Sequence, residues 1–175
     1  LIGPGLGLGA GCFQVLQAIL RHAACPVVVD ADGITLLSRH MDILRGRTAP
    51  TVLTPHDGEF ARLFGPPGPD RMESAKRAAG ESGSIVLLKG HRTCVTDGTR
   101  AFINPTGNPG MAVGGSGDVL AGIITGLLGQ GIAPLEAAAL GAWLHGAAGD
   151  LCARELGEYG MLPSDLLEAL PRLLK

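Results

Sequence analysis

The chain has 175 residues, 46% of them hydrophobic and 17% charged, with a formal net charge of −2 at pH 7. That length suits one domain with a sizeable core. Near-neutral charge and only 3% aromatic residues exclude the broad basic field and stacking platforms of nucleic-acid binders, so any anionic ligand must be held locally.

Leu1-Ile2 reads as the end of a strand running straight into the glycine-rich segment Gly3 to Gly11. The chain is therefore expected to open inside a domain whose first part precedes it. A helix follows near Phe13 to His22, then a strand, Val27-Val28-Val29, closed by Asp30. Strand, glycines, helix, strand and acid approximate a dinucleotide-binding fingerprint, but Ala10 occupies the third glycine slot and the run is overlong. Asp32-Gly33 opens a short helix through Leu36-Leu37, with Asp32 as its N-cap. Asp30 closes a turn or faces a ligand crevice.

Thr51 to Pro55 is the next strand, and the proline stops its ladder so that a helix begins around Asp57. Two readings stand here. Asp57 is a cap and Glu59 a first-turn acid, or His56 and Glu59 sit at a strand's C-terminal end within reach of substrate or hydrated Mg²⁺. The connector Gly65-Pro66-Pro67-Gly68-Pro69 leads to a helix from about Asp70 to Glu81 and the buried strand Ile85 to Leu88. Lys89-Gly90-His91-Arg92-Thr93 then places cations and a hydroxyl after a strand end: an ordinary polar hairpin, or phosphate contacts if a nucleotide lies near. Cys94 to Thr96, the turn Asp97-Gly98, and Ala101 to Ile103 make a hairpin.

Thr106-Gly107-Asn108-Pro109-Gly110-Met111-Ala112-Val113-Gly114-Gly115-Ser116-Gly117-Asp118 is the stretch around which the rest is organised. Apolar pairs every four positions follow it to Leu128, the pattern of a helix seated in a core. Glycines opening such a helix can aim backbone N–H groups at an anion held at its positive end. From Ala101 to Ala153 the chain carries no Lys or Arg, so no side-chain cation competes there. Asp118 is then a helix-dipole residue or a base that takes a hydroxyl proton while the N–H cradle holds the phosphoryl group. No Gly-Lys-Ser/Thr follows, so this is no Walker loop. Gly122 and Gly126, on one helix face, allow another backbone or a flat ligand to come close, with close helix packing the expected use.

Pro134 opens a long small-residue helix to about Leu156, with His145 expected in its packed interior, and Pro163-Ser164-Asp165 caps a last helix from Leu166 to Leu174. Strands alternate with helices throughout, which gives an α/β domain with a mostly parallel sheet. Cys12, Cys25, Cys94 and Cys152 stand apart without a C-x-x-C pair, indicating neither zinc nor disulfides and a reducing, cytoplasmic setting. No stretch is apolar for long enough to cross a bilayer.

Taken together, Gly3-Pro4-Gly5-Leu6-Gly7, Val29-Asp30-Ala31-Asp32, Leu53-Thr54-Pro55-His56 with Gly58-Glu59-Phe60, Val86 to Gly90 and Thr106 to Asp118 resemble, in order, the ADP-dependent NAD(P)H-hydrate dehydratase family. The resemblance implies a ribokinase-like fold spanning residues 1–175 as one N-terminally truncated domain, and a repair enzyme acting on hydrated nicotinamide cofactors, NADHX and NADPHX. The C6 hydroxyl would be phosphorylated by ADP and phosphate lost, with AMP released. Asp118 would be the base, Gly5, Gly7 and His56 would join it in holding the hydrate, and Gly115, Ser116 and Gly117 would surround the phosphoryl group. Lys89, Gly90, His91, Arg92 and Thr93 would hold the nucleotide, and Glu59 would organise Mg²⁺ through water. A homo-oligomer, a tetramer, and an N-terminal NAD(P)HX epimerase domain are implied as partners. Val113 stands where the family pattern has Thr, and Asp57 where it has Pro. A vitamin-precursor kinase of the same fold and a non-catalytic nucleotide-binding module are the rival readings.

Overall fold

The computed structural model describes residues 1–174. Helices α1 (Ala10–His22), α2 (Asp32–Leu37), α3 (Asp42–Arg45), α4 (Asp57–Phe64), α5 (Arg71–Ser82), α6 (Ser116–Gly129), α7 (Pro134–Leu156) and α8 (Pro163–Leu173) are interspersed with five strands. These are β1 (Val27–Val29), β2 (Thr51–Leu53), β3 (Ile85–Leu88), β4 (Cys94–Thr96) and β5 (Ala101–Ile103), joined as one sheet in the order β1-β2-β3-β4-β5. The pairs β1–β2 and β2–β3 are parallel, and Ile2 adds a parallel bridge to Val29. β3–β4 and β4–β5 are antiparallel, because connections as short as Lys89–Thr93 and Asp97–Arg100 cannot carry the chain back for a parallel return. The sheet is therefore mixed: parallel where helices connect the strands, antiparallel in the terminal hairpin.

Strand side chains alternate between the two faces. Val28, Val52, Leu87 and Val95 pack on one side against Leu120, Ala121 and Ile124 of α6 and Leu135, Ala138 and Ala142 of α7. On the other side Val27, Val29 and Leu53 meet α1, α2 and α3, while Val86, Leu88 and Cys94 meet Phe60 of α4 and the alanines of α5. Burial of the strands on both faces explains why β3 reads as the unbroken apolar run Ile85-Val86-Leu87-Leu88.

Several local expectations change. Asp32 does not cap its own helix: Ala31 is the N-cap of α2, and Asp32 Oδ2 accepts the N–H of Gly7 at 2.8 Å, fastening the glycine loop. His56, not Asp57, caps α4. Its Nδ1 accepts the N–H of Gly58 while Glu59 Oε2 accepts the His56 N–H at 2.9 Å, a reciprocal capping box. Asp57 is thereby free to pair with Arg71 at 2.7 Å. Gly122 and Gly126 face open space on the outside of α6 rather than seating a helix. The glycines that permit close approach lie on α7: a Cβ on Gly146 would stand 2.7 Å from the backbone of Thr106. Among the described residues no helix is long and apolar enough to cross a membrane.

Candidate functional site

In a parallel sheet the C-terminal strand ends share one edge, and a ligand crevice forms there. Three acidic or basic groups meet at that edge. Asp30 follows β1 and is 1% exposed, Glu59 lies in the first turn of α4, and Lys89 follows β3. Lys89 Nζ sits 2.8 Å from Asp30 Oδ1 and 3.7 Å from Glu59 Oε2. A buried carboxylate is tolerated only when paired, so Asp30 ties Lys89 to the sheet edge. Arg71 fixes the backbone beside it, donating from Nη2 to the Lys89 carbonyl at 2.7 Å. Thr93 Oγ1 donates back to the Gly90 carbonyl at 3.0 Å, and Arg92 is held in left-handed backbone at φ 56°, so residues 89–93 form a closed turn.

The N-terminus of α6 points into this group. A Cβ on Gly117 would lie 3.4 Å from Lys89 Nζ and 3.7 Å from Asp30 Oδ2. Gly115 is the N-cap and contributes no side-chain cap. The Ser116 amide is taken by the Val113 carbonyl at 3.2 Å. Those of Gly117 and Asp118 find no acceptor among the described residues, so these orphan donors and the helix dipole remain available to an anion. Asp118 is exposed and makes no hydrogen bond or ion pair among the described residues.

A cleft of about 1010 Å³ opens beside this turn. It is lined by His56, by residues 89–93, by the segment Asn104–Pro109, by Ser116 and Gly117, and by Ala142, His145 and Gly146 of α7. The lead-in loop lies against α7 because Gly146 leaves room and polar groups hold it there. Asp150 accepts from the Gly107 N–H at 2.9 Å and from Asn108 Nδ2 at 3.1 Å, and Asn104 Nδ2 donates to the Ala142 carbonyl.

The expected site residues thus fall into three groups. His56, residues 89–93, Ser116 and Gly117 share the cleft, whereas Gly115 and Asp118 lie on the same α6 turn outside its lining. Gly5 and Gly7 belong to a separate loop, joined to the α6 turn through Asp30. A side chain on Gly3 would collide with the Asp30 carbonyl, and the Asp30 carboxylate reaches Gly117. Sequence reading did not anticipate the Asp30–Lys89 pair, Asp150, or His145, which is a cleft-lining group rather than an interior one. Spacing along the chain offers no cue to contacts 59 and 42 residues apart. The one available cue was a His and an Asp standing five apart in a helix otherwise rich in Ala and Gly.

His145 Nε2 lies 3.2 Å from Ser116 Oγ. Burial lowers its pKa from 6.5 to about 4, a hydrogen bond to the Ser116 backbone opposes this, and the charge of Lys89 adds to it. The folded state therefore binds this proton more weakly than the unfolded chain. Stability is full above pH 6.5 and is lost as pH falls toward 4, by up to about 3 kcal/mol. Urea melts across that window should show this loss, and His145→Gln should flatten it; equal slopes for the two proteins would remove His145 as the cause.

Among the described residues no group of three or more His, Cys, Asp or Glu converges as a metal cage. Glu59 is already engaged by the His56 N–H and Lys89.

A family profile described as NAD(P)H-hydrate dehydratase matches residues 1–172. The bifunctional NAD(P)H-hydrate repair enzyme Nnr of Moorella thermoacetica is 49% identical over 180 residues, covering 99% of this chain and 34% of that protein. The ADP-dependent (S)-NAD(P)H-hydrate dehydratase of Neisseria meningitidis is 41% identical over 179 residues, covering 97% of this chain and 60% of that protein. Among solved structures, the Bacillus subtilis ADP/ATP-dependent NAD(P)H-hydrate dehydratase co-crystallized with ATP/Mg²⁺ superposes with a TM-score of 0.87 at 34% identity, over 99% of this chain and 62% of that one. The chain thus spans about a third of the bifunctional relative and under two thirds of the other two.

Proposed function

Since the chain belongs to the NAD(P)H-hydrate dehydratase family, we propose that it takes part in converting NADHX and NADPHX back to NADH and NADPH at the expense of ADP. The observation that supports this most directly is the division of one helical turn. Ser116 and Gly117 face a cleft carrying Lys89 and the 89–93 turn, while the next residue, Asp118, presents an exposed carboxylate, unpaired among the described residues, outside it. A nucleotide in the cleft would lay its terminal phosphate on the free amides of Gly117 and Asp118, with Lys89 and residues 90–93 along the phosphates and adenosine. The hydrated nicotinamide, held by Gly5 and Gly7, would approach from the Asp118 side, with His56 reaching it from the cleft wall.

Asp118 then accepts the proton of the C6 hydroxyl as its oxygen forms the bond to the β-phosphorus, and the bond to AMP breaks. The charge that develops on the phosphoryl oxygens falls on amides already oriented by the fold, so little reorganisation is needed. Loss of the phosphate with a ring proton completes the elimination. Mg²⁺, when bound with the nucleotide, supplies charge neutralisation at the phosphates, and Glu59 would hold it through water. The proposed setting is the cytoplasm, with a homotetrameric assembly and an N-terminal NAD(P)HX epimerase domain as partner.

Purified protein given NADHX, ADP and Mg²⁺ should regain NADH absorbance with one AMP and one phosphate per turnover. Unchanged NADHX would remove the reading. A stable phosphorylated alcohol without elimination would instead mark a kinase.

A further inference from the structure

The contact between His145 and Ser116 has no part in the scheme above, yet both residues line the cleft where that scheme places the nucleotide. Ser116 is the first residue of α6 and is 5% exposed. A serine there could turn its hydroxyl toward backbone, as capping serines do, but this one makes no such bond: among the described residues its Oγ has His145 Nε2 as its one partner, at 3.2 Å. His145 reaches it from α7, with Ala142 and Gly146 of the same helix on the cleft wall and too small to cover the ring. The imidazole is neutral, so it offers one N–H and one bare nitrogen. If the bare nitrogen faced Oγ, it would take the hydroxyl hydrogen and leave only a lone pair toward an anion. The ring also donates toward the Ser116 backbone, which places its N–H on the side facing Ser116; with that N–H shared toward Oγ, the hydroxyl hydrogen is free and turns to the cleft.

Building on the proposed nucleotide site, we propose that His145 is a positioning residue that donates from Nε2 to Ser116 Oγ and thereby aims the Ser116 hydroxyl as a donor to the terminal phosphate of the bound nucleoside diphosphate. Ser116 adds a side-chain donor to the backbone cradle, in a place where its own amide is already spent on Val113. The role is structural toward Ser116 and functional toward the phosphate, so the two residues act as one unit.

The test is a double-mutant cycle on ADP affinity, measured by titration calorimetry with ADP and Mg²⁺. Ser116→Ala and His145→Phe are each expected to weaken binding about tenfold, and the double variant no more than either alone. His145→Gln keeps a side-chain N–H of similar reach and should recover most of the affinity; it also serves as the readout if the Phe variant melts early. Additive losses, an unchanged affinity in Ser116→Ala, or equal behaviour of the Phe and Gln variants would each overturn the assignment. The outcome separates from that of the dehydratase reading. Coupled losses of ADP affinity in a protein that leaves NADHX unchanged would retain the pair and remove the reaction, whereas normal turnover with additive losses would do the reverse.

Discussion

Replacing Asp118 by Asn is expected to lower NADHX turnover by roughly a hundred- to ten-thousand-fold while leaving ADP affinity close to that of the unaltered protein. The carboxylate is exposed, makes no bond among the described residues and lies outside the lining of the cleft. Its loss therefore removes neither a packing contact nor a nucleotide contact. What it removes is the only acid on the α6 turn able to accept a proton next to the free amides. As a third residue of the helix, Asp118 also interacts favourably with the helix dipole, but that is worth only about 0.3–1 kcal/mol. The melting temperature should fall by no more than a few degrees, roughly 2–4 °C per kcal/mol for a chain of this size. Steady-state turnover, ADP titration and a thermal melt on the same preparation separate these effects. Turnover within a few-fold of the unaltered protein would leave Asp118 as a helix-dipole residue and favour a binding module over an enzyme.

Lys89→Met is expected to cost more in stability than any other change at the site. Lys89 is the cation between Asp30 and Glu59, which are 1% and 6% exposed. Removing one partner of a buried pair leaves an uncompensated charge, typically at a cost of about 3–5 kcal/mol. For this chain length that corresponds to a fall in Tm of roughly 10 °C. The same principle predicts the remedy. Adding Asp30→Asn removes the stranded charge, and the double variant should recover much of the lost Tm. ADP affinity should stay low in both variants, because the proposed phosphate contact is absent from each. Melting curves and ADP titrations of the single and double variants check this together. A single variant that melts with the unaltered protein would mean that water reaches Asp30 and that the pair contributes little.

These two residues differ in how visible they were beforehand. Asp118 announces itself because it ends a run of glycines at the start of an apolar-periodic helix, where free amides and a carboxylate must be neighbours whatever the fold. The same local logic placed the β1, β2 and β3 runs, the Asp97-Gly98 hairpin and the small-residue helix α7 close to where they lie. Local patterns also over-reached. Asp32 and Asp57 each looked like caps by position, but Asp32 was drawn to the Gly7 amide and Asp57 to Arg71 once folding brought those partners near. Gly122 and Gly126 have the spacing of a packing face, yet that face of α6 is turned outward.

The amino-acid sequence by itself determined the α/β class, the order of the elements, the anion-ready start of α6 and the chemical type of its acid, because each depends on contacts a few residues apart. Tertiary structure alone decided that Lys89 is anchored by Asp30, that His145 stands against Ser116, and that the α6 turn divides a cleft from an exposed carboxylate. Those pairings join strand ends and helices 29 to 59 residues apart, and only the sheet's order and the close seat at Gly146 bring such distant groups within hydrogen-bond reach.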